Sequence, residues 1–136
     1  MVALEILSDA VAQEFADAFP GQRLLEAWLY GSHARNASRP DSDIDIAVLS
    51  DSVLDAVSLF DVSGRLATRL GAHVDLVDLH RAGVLLRVEA THRGRALLPP
   101  TLEADFFTTH ALADHAAFAA NRRAATAAMQ EKFRAR

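Results

Sequence analysis

The sequence predicts an α/β domain with a C-terminal helical segment, because helical stripes alternate with short strand-like apolar runs along 136 residues. Three observations carry this. Leu7, Val11, Phe15 and Phe19 recur every fourth residue and the stripe stops at Pro20-Gly21. Two strand-length runs follow, one ending in Leu29-Tyr30 before Gly31-Ser32, the other starting at Asp43 with Ile44, Ile46 and Val48 in alternation. Beyond Pro99-Pro100 the chain is alanine-rich and helical in character.

Each element has its own signal. Arg23 to Tyr30 reads as the first strand, with Leu24, Leu25, Trp28 and Leu29 as core candidates. Arg35 to Ser42 reads as loop, closed by a turn at Pro40-Asp41-Ser42. Asp51 or Ser52 can cap a second helix running through Leu70, with Val53, Val57, Phe60 and Ala67 on one face and Gly71 as its stop. His73 to Leu79 is a third strand, Gly83 to Arg93 a third helix closed by Gly94, and Arg95 to Leu98 a short strand. From Thr101, a candidate N-cap, the rest is one helical segment, whether continuous or broken, whose large apolar residues are Phe106, Phe107, Leu112, Phe118, Met129 and Phe133.

Composition narrows the function classes. The length suits one core, and 51% hydrophobic with 24% charged residues is the balance of a folded globular chain. A formal net charge of −4 supplies no field for holding a nucleic-acid backbone, so no direct nucleic-acid contact is expected. The absence of cysteine excludes disulfide frameworks and thiolate metal sites and fits a cytoplasmic location. No apolar run approaches the ~20 residues that span a bilayer, and the N-terminus lacks a basic leader, so no membrane association is expected. There is no Walker loop and no nucleophile elbow.

The chemistry gathers between Leu29 and Leu49. Alternation along a strand turns Asp43 and Asp45 to one face and Ile44, Ile46 and Val48 to the other. Two carboxylates so close repel, and a divalent cation between them resolves the repulsion. Gly31-Ser32, a strand end turning into a short helix, offers backbone N–H groups to phosphate. In the third strand, Asp75 and Asp78 fall on opposite faces, so only one of them joins the cluster. His73, His80, His92, His110 and His115 show no metal-ligand pairing on one helix face and read as structural or surface residues.

Gly31-Ser32, ten residues, then Asp43-x-Asp45, with Tyr30 before and Ala34-Arg35 after the turn, resembles the minimal nucleotidyltransferase (MNT) family. That resemblance implies the polymerase-beta-like nucleotidyltransferase fold, a small mixed sheet flanked by helices, over residues 1–98, with residues 99–136 as a helical segment packing on the domain or a partner. It also implies Asp43, Asp45 and Asp75 as catalytic and magnesium-binding, and Gly31, Ser32 and Arg35 as nucleotide-binding. Asp78 is then a cap or a surface charge. His33 and Asn36 depart from the arginine and glycine that many relatives carry there. The implied function is an antitoxin that transfers AMP from ATP to a tyrosine hydroxyl of a HEPN ribonuclease toxin. The alternatives are an antitoxin that masks the toxin by contact, and an aminoglycoside-type small-molecule nucleotidyltransferase. Self-association is left open.

Overall fold

The computed structural model describes residues 2–34 and 43–134. Its elements run α1 (Leu4–Ala18), β1 (Leu24–Tyr30), β2 (Ile44–Ser50), α2 (Ala56–Leu70), β3 (Val74–Asp78), α3 (Val84–Arg93), β4 (Arg95–Ala96) and α4 (Leu102–Arg134). The four strands form one mixed sheet in the order β3-β2-β1-β4. β1 pairs antiparallel with both β2 and β4, whereas β2 and β3 run parallel. The parallel pair requires a crossover, which α2 supplies. β3 therefore lies at an edge of the sheet.

Two apolar layers sandwich the sheet. On one face Leu7, Val11 and Phe15 of α1 and Leu59, Val62 and Leu66 of α2 pack on Ala27, Leu29, Ile44, Ile46, Val48 and Val74. On the other, Leu25, Trp28, Ala47 and Leu49 meet Ala90 of α3 and Ala104 of α4, with Tyr30 and Phe107 at the margin. The alternation expected of β2 is thus met: Ile44, Ile46 and Val48 face α1 and α2, and Asp45, Ala47 and Leu49 face the other way.

Local chemistry sets the helix ends. Asp55 caps α2 by accepting from the Ser58 N–H at 2.9 Å, and Gly71 closes it at φ 66° with its N–H on the Ala67 carbonyl. Thr101 caps α4 through the Ala104 N–H at 3.1 Å. Gly94 ends α3 where the chain turns back onto β1, and a Cβ there would collide with the Ala90 carbonyl and crowd that of Leu29.

Three expectations change. α2 begins at Ala56 behind an Asp55 cap, because Asp51 and Ser52 are occupied with Ser50 and Gln22. Its buried stripe is Leu59, Val62 and Leu66, while Val57 and Phe60 point outward at 70% and 76% exposure. Both stripes have helical spacing, and packing on α1 selects the second. The strand predicted over Arg95 to Leu98 contracts to Arg95–Ala96, since beyond it the Leu98 N–H bonds to the Glu26 side chain. α4 is continuous for 33 residues, with only Ala104 and Ala111 buried.

Candidate active site

The site stands at the end of the sheet where β1 leaves and β2 and β3 enter. Backbone register builds it. Asp45 lies opposite Tyr30 on β1 and opposite Asp75 on β3. One position earlier, the Ile44 N–H donates to the His73 carbonyl at 2.9 Å, which brings Asp43 beside His73. One potential ligand atom from each of Asp43, His73 and Asp75 lies within 4.8 Å of the other two, and His73 Nδ1 is 3.6 Å from Asp43 Oδ1. All three side chains are exposed. Two carboxylates and an imidazole at this spacing fit a divalent cation.

Asp45 sits deeper, half-buried behind that group. Burial raises its carboxyl above the ordinary aspartate range, and the charges of Asp75 and Asp43 raise it further, against the opposing influence of His33 and His73. Tyr30 feels the same field. Burial first, then Asp45 and Asp75, push its phenol up to about 12. The end of the sheet is therefore a pocket of negative potential, suited to a cation and to the metal-bound triphosphate that comes with one.

Gly31 makes the turn. It holds φ 70°, and a Cβ there would lie 2.6 Å from Asp45 Oδ2. Two constraints therefore require glycine at this position, the left-handed backbone and the closeness of the carboxylate. Ser32 follows in the turn over residues 31–34, which is tied down where Arg95 Nε donates to the Ala34 carbonyl at 3.0 Å. Arg35 and the helix expected after Gly31-Ser32 lie outside the described residues.

Asp78 is not a surface charge. It is buried on the opposite face of β3, where its carboxylate accepts from the Leu54 and His80 N–H groups, each at 2.9 Å. It fastens the loop entering α2 to the end of β3. His73 also differs from its expected role, since it stands with Asp43 and Asp75. Its signal was the i, i+2 spacing from Asp75, a strand relation that a search for helical histidine pairs passes over. His80, His92 and His110 are bonded to main-chain carbonyls. From His73 and Asp75 a groove of about 600 Å³ continues past β3, walled by Phe60 and Ser63 of α2 and by Ala82 and Leu86. That volume suits a nucleotide-sized or side-chain-sized guest.

Known proteins resemble this chain in sequence and in fold. The family model described as polymerase beta, nucleotidyltransferase, matches residues 13–100. The protein adenylyltransferase MntA of Shewanella oneidensis is 31% identical over 108 residues, covering 79% of this chain and 76% of the relative. A toxin–antitoxin crystal structure with AMP-PNP contains a chain that superposes with a TM-score of 0.78 at 27% identity, over 90% of this chain and 98% of that one. A structure of tri-AMPylated Shewanella oneidensis HEPN toxin in complex with MNT antitoxin matches with a TM-score of 0.74 at 25% identity, over 94% and 99% of the two chains. With the matched segment spanning every strand and all of the described site, the chain belongs to the polymerase beta nucleotidyltransferase family, alongside the MNT-type adenylyltransferases.

Proposed function

We propose that this chain is a protein adenylyltransferase antitoxin, moving AMP from ATP to a tyrosine hydroxyl of a HEPN-type toxin and so neutralising it. The observation that carries the reading is the convergence of Asp43 and Asp75 from separate strands, next to Asp45 and the Gly31-Ser32 turn. The reading draws further support from the relatives, one named for the activity and another solved with an AMPylated toxin.

The reaction is a substitution at the α-phosphorus. The tyrosine oxygen bonds to that phosphorus, the bond from it to the bridging oxygen of the β-phosphate breaks, and pyrophosphate leaves with the electron pair. We assign Asp43, Asp45 and Asp75 to holding magnesium, which when bound neutralises the triphosphate and acidifies the attacking hydroxyl. Asp75 takes the phenolic proton. A free tyrosine ionises near pH 10, so such an acceptor needs a base beside it. Gly31 and Ser32 present main-chain N–H groups to the phosphates, and Arg35 adds a guanidinium. The ATP and magnesium this requires put the protein in the cytoplasm.

The test is to incubate the chain with ATP, magnesium and the HEPN-type product of the neighbouring gene, and to look for AMP-modified tyrosine by mass spectrometry. The parent should modify the toxin, and Asp43→Ala should lower the rate at least about a hundredfold, the scale lost with one electrostatic contact in a transition state. No transfer by the parent overturns the proposal. Toxin protection by Asp43→Ala as full as the parent's overturns it too, in favour of masking by contact.

A further inference from the structure

We infer that His73 is a metal ligand of this centre, making it a mixed nitrogen and oxygen site that favours first-row transition ions such as Mn2+ over Mg2+. This rests on the proposed nucleotidyltransferase reading only for the presence of a cation, not for its identity.

The argument is geometric. His73 Nδ1 stands 3.6 Å from Asp43 Oδ1, too far for a hydrogen bond. Neighbouring ligands about 2.1 Å from one octahedral ion are about 3.0 Å apart, and opposed ligands about 4.2 Å apart. The 3.6 Å gap falls between those values, and Asp75 offers a third ligand atom within 4.8 Å of the other two, a spread that small rotations of these exposed side chains close to the limit of about 4.2 Å. Register fixes the arrangement, since the parallel pairing of β2 and β3 sets His73 beside Asp43 and Asp75 beside Asp45. The imidazole is exposed, so nothing in the core accounts for its position.

Donor chemistry then decides the preference. Mg2+ takes oxygen ligands almost exclusively and keeps its waters, whereas imidazole suits transition ions. An all-carboxylate centre would show this bias only weakly. Here His73 adds a nitrogen donor to the carboxylates of Asp43, Asp45 and Asp75.

The test uses the full chain with Mn2+ as the probe. Pulsed EPR of the Mn2+-loaded protein should show nitrogen coupling from one imidazole, absent in His73→Ala and in His73→Asp. Titration should show Mn2+ affinity falling about tenfold or more in His73→Ala, with Mg2+ affinity changed far less; outer-sphere partners alone act on that scale. His73→Asp, an all-oxygen centre, should bind both ions and lose most of the preference. Manganese bound by the parent without nitrogen coupling overturns the inference, as does an unchanged Mn2+ to Mg2+ ratio in both variants. The two proposals fail separately. Nitrogen coupling without AMP transfer removes the enzymatic reading and leaves the ligand, and AMP transfer with an all-oxygen manganese signal does the reverse.

Discussion

Gly31 and Glu26 illustrate how much single residues carry in this fold. At Gly31 an alanine would meet both a left-handed backbone and the Asp45 carboxylate. Gly31→Ala should lower stability by about 1–2 kcal/mol in a denaturant titration and reduce AMP transfer further by displacing Asp45. Glu26 is buried in β1, where its Oε1 accepts from the Ala27 and Leu98 N–H groups at 2.9 Å each. Burial pushes its carboxyl above the usual range, opposed by those bonds and assisted by Asp105. A raised folded value means that the stability it contributes is full below the unfolded glutamate value and is lost as pH rises through the folded value. Glu26→Gln keeps an acceptor and never ionises. Its melting temperature should match the parent's at acid pH and exceed it at pH 8, the gap opening as pH rises. A gap that does not vary with pH would show that Glu26 is not titrating. The turn glycine was legible from spacing, whereas the burial of Glu26 and the meeting of His73 with Asp43 were not, because those environments come from strands and loops distant in sequence.

At the scale of elements, α2 is the informative case. Its sequence carries two apolar stripes of helical spacing, and periodicity cannot choose between them. Leu66 is fully buried against α1 and the sheet, while Phe60 is exposed beside the groove. Leu66→Ala should cost about 2–5 kcal/mol in chemical unfolding, and Phe60→Ser should stay within about 0.5 kcal/mol. The reverse ranking would mean that α2 is turned the other way. Gly94 makes a second element-level contact, where the end of α3 touches β1 through backbone atoms that cannot move aside. The strands and helices themselves were readable, since alternation, Gly71, Gly94 and Thr101 are local signals. Their exact starts were not, because caps such as Asp55 compete with nearby side chains.

For the whole molecule, the asymmetry lies in α4. Its first turns pack on α3 and β1, and after Ala111 no residue is buried along a helix that spans about 50 Å in all. Ending the chain at Ala120 should leave the melting temperature within about 1 °C of the parent, because every described residue removed is exposed. A loss of several degrees would mean that the distal half is held against the domain. No helix among the described residues is long and apolar enough to cross a membrane.

What the sequence determined alone was everything written in short-range pattern: the order of helices and strands, the Gly31-Ser32 turn, the alternation of Ile44, Ile46 and Val48 along β2, and the opposed faces of Asp75 and Asp78. Rotation per residue is a local property, so periodicity reveals it. Tertiary structure alone decided which strands became neighbours and in what register, and hence that His73 stands beside Asp43, that Asp78 is buried, and that Leu59, Val62 and Leu66 face inward. Those outcomes follow from packing and pairing between residues far apart in the chain, where many arrangements satisfy the same local pattern and only the buried surface of the whole distinguishes them.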